Sequence, residues 1–153
     1  MELAPDGLIY VSSRGDYYGT GSDVFVVNPE TQKVVGHLGV AASEMCMDGD
    51  YLYLISVEWS YVSGKNEVRY TLYDTRKKEI LPHSFITDGS EKEIKIPYGL
   101  GVNPETKEIF VSDATDYVTP GYLYCFSAEG RMQWKVRAGD IPAHFAFTSV
   151  DFY

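Results

Sequence analysis

The chain is built from short runs in which apolar and polar residues alternate at every second position, the period of a strand with one buried face. Three such runs superpose: Leu8-Ile-Tyr-Val-Ser-Ser13, Tyr51-Leu-Tyr-Leu-Ile-Ser56 and Glu108-Ile-Phe-Val-Ser-Asp113. A second set follows each of them, Val24-Phe-Val-Val-Asn28, Tyr70-Thr-Leu-Tyr-Asp74 and Leu123-Tyr-Cys-Phe-Ser127, and each closes on a turn-forming polar residue. A third set runs Lys33 to Leu38, Glu79 to Ile86 and Met132 to Arg137. No long segment holds a helical period.

A further set opens each unit. Ile96-Pro-Tyr-Gly-Leu-Gly-Val102 matches Ile141-Pro-Ala-His-Phe-Ala-Phe147, and Ala41-Ala-Ser-Glu-Met-Cys-Met47 is a looser version. The turns agree, since Asn28-Pro-Glu-Thr-Gln-Lys33 and Asn103-Pro-Glu-Thr-Lys-Glu108 are near-copies, with Pro placed to preset the turn. Strands recurring in matched sets of four at a period of roughly 40–50 residues are the signature of propeller blades. A β-sandwich also has short, evenly spaced strands, but it does not require them to repeat as matched sets.

The pattern therefore predicts an all-β chain, a partial β-propeller of about three four-stranded antiparallel blades plus a closing strand. With strands labelled a to d from the ring centre outward, blade one (residues 1–39) runs b at Leu8–Ser13, c at Asp23–Asn28 and d at Lys33–Leu38. Blade two (40–87) runs a at Glu44–Asp48, b at Tyr51–Val57, c at Val68–Asp74 and d at Glu79–Ile86. Blade three (96–138) runs a at Ile96–Asn103, b at Glu108–Asp113, c at Gly121–Ser127 and d at Met132–Arg137. The closing strand falls at 141–147, where it would supply the inner strand that blade one is read as lacking. Three blades cannot close a ring, and an open array exposes apolar faces and edges. The expectation is either the C-terminal part of a longer propeller or a homo-oligomer that completes the ring.

Composition narrows the partners. A net charge of −9 disfavours nucleic acid, whose affinity comes from clustered Lys and Arg, and disfavours an anionic membrane surface. Thirteen tyrosines among 153 residues suit half-buried strand surfaces where the ring packs and the hydroxyl stays wet. Cys46 and Cys125 each lie in an apolar run and read as free thiols, with a disulfide left open. No stretch has the apolar length of a membrane span, and the start has neither region of a secretory signal.

Candidate chemistry gathers on the b–c loops. These read Arg14-Gly-Asp-Tyr-Tyr-Gly-Thr-Gly-Ser-Asp23, Glu58-Trp-Ser-Tyr-Val-Ser-Gly-Lys-Asn66 and Ala114-Thr-Asp-Tyr-Val-Thr-Pro-Gly121. Tyr17, Tyr61 and Tyr117 are related by the repeat and are joined by Tyr18, Trp59, Asp16 and Asp116. Exposed aromatics beside carboxylates suit flat or amphipathic ligands such as sugars, tetrapyrrole-like rings or peptides, although each Tyr also has a structural reading as a brace for its own loop. The d–a junctions place Glu44, Gly99 and His144 at matching positions, preceded by Ser43, Tyr98 and Ala143. The ligand-binding candidates are thus Asp16, Tyr17, Tyr18, Glu44, Trp59, Tyr61, Tyr98, Asp116, Tyr117 and His144. No catalytic set, metal site or cofactor motif is read from the spacing: Val62-Ser-Gly-Lys-Asn66 lacks the lead of a phosphate loop, and Ser12 and Ser13 lack a nucleophile elbow.

Ile96-Pro-Tyr-Gly-Leu-Gly-Val-Asn-Pro-Glu-Thr-Lys-Glu-Ile-Phe-Val-Ser-Asp113, Asp116-Tyr-Val-Thr-Pro-Gly-Tyr-Leu-Tyr-Cys-Phe126 and Gly139-Asp-Ile-Pro-Ala-His-Phe-Ala-Phe147 resemble the C-terminal blades of YncE-like propellers. Among these, the resemblance is to surface lipoproteins of Gram-negative gut anaerobes, some of which capture cobalamin for an outer-membrane transporter. It implies a seven-bladed ring, exported and lipid-anchored at the cell surface or periplasm, with a ligand face and no catalysis. It covers only the C-terminal portion of such proteins, so their signal and anchor are not expected within these residues. The expected partners are a small molecule, cobalamin or a glycan, and an outer-membrane transporter. The rival readings are a scaffold for that transporter and a metal-dependent propeller hydrolase or lactonase with its ion in the axial channel.

Overall fold

A computed structural model of the chain describes residues 1–16 and 18–149. It contains three four-stranded antiparallel sheets, each an up-and-down meander in chain order. The first holds β1 (Glu2–Leu3), β2 (Ile9–Ser13), β3 (Asp23–Asn28) and β4 (Lys33–His37). The second holds β5 (Glu44–Asp48), β6 (Tyr51–Ser60), β7 (Lys65–Asp74) and β8 (Glu79–Ile80). The third holds β9 (Pro97–Val102), β10 (Ile109–Asp113), β11 (Tyr122–Phe126) and β12 (Met132–Arg137). The chain is a partial β-propeller of three blades, and it divides into two compact units, Met1–Phe85 and Ile86–Tyr153.

In the first unit, alternation sets one face of each sheet against the other. Tyr10, Val24 and Val26 of blade one and Leu52, Leu54 and Tyr73 of blade two form one buried cluster. Tyr10 meets Tyr73 edge-on at 5.9 Å between ring centroids, a favoured aromatic geometry. The Glu2 carboxylate accepts the Met47 backbone N–H at 3.1 Å, tying β1 to β5. Behind blade two, Phe85 lies edge-on to Tyr53 and Tyr70.

In the second unit, residues 141–147 run across blade three. Phe145 and Phe147 pack on Phe110, with centroids 6.2 and 5.6 Å away, and Ser112 donates its hydroxyl to Pro142 O. That close approach explains two strand glycines. A Cβ at Gly99 would fall 2.1 Å from Ala143 O, and one at Gly101 would fall 2.9 Å from the Phe145 ring. The buried Asp113 carboxylate accepts N–H groups from Lys95 at 3.1 Å, Ile96 at 2.8 Å and Thr115 at 2.9 Å.

Four boundaries differ from expectation. Blade one has an inner strand of its own, β1, too short for alternation to reveal. Strand d of blade two stops at Ile80, because Phe85 leaves the sheet plane to cover Tyr53 and Tyr70. The closing strand expected at 141–147 forms no ladder among the described residues and packs on blade three through side chains. The loop read from Glu58 to Asn66 is mostly strand, since β6 and β7 stay paired out to Ser60 and Lys65.

Candidate functional site

The β2–β3 loop is organised by one side chain. Asp16 Oδ1 accepts the backbone N–H groups of Tyr18 at 2.9 Å, Gly19 at 3.0 Å and Thr20 at 2.9 Å, while Oδ2 takes the Thr20 hydroxyl. Those bonds, the one from Tyr18 first, pull its pKa down to about 2. Asp116 builds the matching β10–β11 loop, accepting from Val118 N at 2.9 Å and from Thr119 N at 2.7 Å, and its pKa is lowered for the same reason, led by Thr119. Both carboxylates thus face their own backbone. Asp23, at the far end of the β2–β3 loop, is bonded to His37 Nδ1 at 2.8 Å and accepts Gly39 N at 2.8 Å.

The aromatic candidates divide by environment. Tyr18 is 98% exposed and Tyr61 94%, with Trp59 at 56%, a degree of exposure that large rings reach where no packing role holds them. Trp59 stands on β6 and Tyr61 in the β6–β7 turn, a hairpin that runs beyond its sheet: neither β5 nor β8 reaches the pairs from Val57↔Val68 to Ser60↔Lys65. In the second unit, Tyr98 on β9 meets Tyr117 edge-on at 5.7 Å, so this pair braces the β10–β11 loop. Tyr17 lies outside the described residues.

Glu44 opens β5 in the first unit, and His144 is exposed on the C-terminal segment of the second. Among the described residues, no three His, Cys, Asp or Glu side chains are grouped as metal ligands would be. Cys46 and Cys125 form no disulfide; Cys125 is fully buried, and burial pushes its pKa up to about 11.

A polar cavity of about 420 Å³ lies within the first unit, where the base of the β2–β3 loop meets the residues leading into β5. Its lining includes Ser12, Ser13, Arg14, Ser22, Ala42 and Ser43, and Val57 at the root of the projecting hairpin also reaches it. Its volume sits in the lower part of the range that holds one small molecule. Sequence spacing gives Arg14 and Ser22 no role and offers Ser12 only as a nucleophile without an elbow, because nothing local shows that β2 and the residues before β5 share a cavity. The signal was present in the repeat, which aligns Arg14 with Ala114.

No protein family and no curated protein matches the sequence. Among solved structures, the fold is similar to that of Kuenenia stuttgartiensis hydrazine synthase, with a TM-score of 0.58 at 19% identity over 90% of this chain. This chain spans 35% of that one, and at such identity the likeness concerns the fold alone.

Proposed function

We propose that this chain is a non-enzymatic ligand-binding propeller module that captures a small molecule, a corrinoid or a glycan, at the cell surface. The observation that carries the reading is the setting of the first unit. The exposed rings of Tyr18, Trp59 and Tyr61 belong to the β2–β3 loop, whose base lines the polar cavity, and to the β6–β7 hairpin, whose Val57 reaches it. Exposed rings on the elements that contribute to a polar cavity suit a ligand with one flat face and several hydrogen-bonding groups. The resemblance of Ile96–Phe147 to YncE-like surface lipoproteins supplies the compartment and the ligand classes. Titration calorimetry of the chain against cobalamin and a glycan panel tests it. Saturable heat with one of these is expected, and no heat beyond dilution with any of them overturns the reading.

A second reading, a scaffold for an outer-membrane transporter, is favoured by the β6–β7 hairpin. An exposed ribbon with Trp59 and Tyr61 at its end offers the aromatic anchors that protein interfaces favour. Retention on outer-membrane vesicles that disappears in Trp59→Ser would support it. Heat with a small molecule and no such retention would exclude it.

A further inference from the structure

The blades are internal copies of one another, so the same junction can be read twice. Aligning Leu8–Ser13 with Glu108–Asp113, Val24–Asn28 with Leu123–Ser127 and Glu44 with His144 gives position pairs Ser12/Ser112, Ser13/Asp113, Arg14/Ala114, Ser22/Gly121 and Ala42/Pro142. In the second unit these positions close on each other. Ser112 donates to Pro142 O, a Cβ at Gly121 would fall 2.8 Å from Pro142 Cδ, and Ala114 is 0% exposed. In the first unit the corresponding Ser12, Arg14, Ser22 and Ala42 line the cavity instead, and among the described residues no such bond joins Ser12 to Ala42. A repeat that breaks its own packing rule at one copy marks a position held for something other than packing.

The substitutions also reverse the local charge. Where the closed junction has the carboxylate of Asp113 beside Ala114, the open one has the hydroxyl of Ser13 beside the guanidinium of Arg14. Ser13 Oγ keeps only the bond matching Thr115 N→Asp113, accepting Gly15 N at 3.3 Å. The acids nearest Arg14 in sequence are engaged elsewhere, Asp16 with its own loop and Asp23 with His37 and Gly39. The hydroxyl protons of Ser22 and Ser43 go to Arg14 O and Ile55 O. The donors left to a ligand are therefore the guanidinium and the hydroxyls of Ser12 and Ser13, and a charged donor flanked by hydroxyls fits an acceptor-only group.

We propose that this cavity binds the carboxylate of a small hydroxylated acid, a uronic acid unit of a glycan, with Arg14 pairing the carboxylate and the serines engaging it and its neighbouring hydroxyls. This rests on the ligand-binding reading above and narrows its glycan arm. The neutral hydroxyl acceptors on Ser22 and Ser43 suit the sugar's own O–H groups.

Calorimetric titration of the whole chain with galacturonate, galactose, inorganic phosphate and cobalamin, in the native protein and in Arg14→Ala, tests the proposal. Arg14→Ala installs the residue the other copy already carries, and circular dichroism and the urea midpoint check that the variant is folded. Galacturonate is expected to bind about tenfold or more tightly than galactose, and Arg14→Ala to erase that preference, bringing the two sugars within about twofold of each other. Equal affinity for the two sugars, or equal loss of both in the variant, overturns the proposal. Tighter phosphate than galacturonate binding overturns the sugar-acid assignment. Cobalamin binding with no sugar binding overturns it and leaves the broader reading standing, whereas no binding of any compound removes both.

Discussion

At the scale of single residues, the polar side chains that look most reactive are largely occupied in holding backbone. Asp16 shows this. Its folded pKa of about 2 lies below the ordinary 3.8, so its contribution to stability is fully present above pH 4 and is lost as pH falls from about 4 to about 2. The urea midpoint of the native protein should therefore exceed that of Asp16→Ala at pH 6, with the gap closing by pH 2. A gap that persists at pH 2 would mean that the carboxylate's charge is not what holds the loop. The two thiols separate as sharply. Cys125 is fully buried with its pKa raised to about 11, while Cys46 is half-buried. Because the thiolate is the reacting form, native-state alkylation at pH 8 followed by mass spectrometry should label Cys46 about tenfold faster. Equal rates would show that the third sheet opens readily.

At the scale of elements, strand identity was legible because alternation and turn chemistry agree. β3, β5, β10 and β12 coincide with their expected bounds to within a residue. What escaped was set by tertiary contacts. β1 has two residues, too few for a period, and it is held by pairing with β2 and by the Glu2 bond to Met47. The hairpin beyond Val57 carries Glu58, Lys65 and Glu67 at paired positions, a composition that reads as loop although its backbone remains laddered. Nothing in the repeat explains the glycines of β9; the reason is the segment laid over them. Gly99→Ala, whose Cβ would strike Ala143 O, should cost about 2 kcal/mol or more of stability by urea unfolding. It should also expose residues 141–147 to limited proteolysis. An unchanged midpoint and an uncut C-terminal segment would show that the segment does not depend on this contact.

At the scale of the whole molecule, the repeat makes both the fold and its exception readable. Three meandering sheets follow one plan, and the junction at Ser12–Arg14, Ser22 and Ala42 departs from the way its copy in the second unit packs. Sequence reasoning found the aromatic loops, because repeated Tyr positions are visible in one dimension. It missed the cavity, because a cavity is defined by residues distant in sequence and by side chains that fail to meet. It also set Asp16 and Asp116 beside the rings as ligand contacts, where the structure turns both carboxylates onto their own backbones. Against 22 acidic and 13 basic residues overall, Arg14 gives this cavity a cation where the molecule's average is negative.

The central claim is that the first unit's cavity is where ligand binds. Amide chemical-shift mapping during a titration with galacturonate locates binding residue by residue. The account predicts saturable shifts concentrated at Ser12–Arg14, Ser22 and Ala41–Ser43, with Ser112, Ala114 and Gly121 unmoved. Shifts confined to the second unit, or saturable heat with those first-unit amides unperturbed, would contradict it.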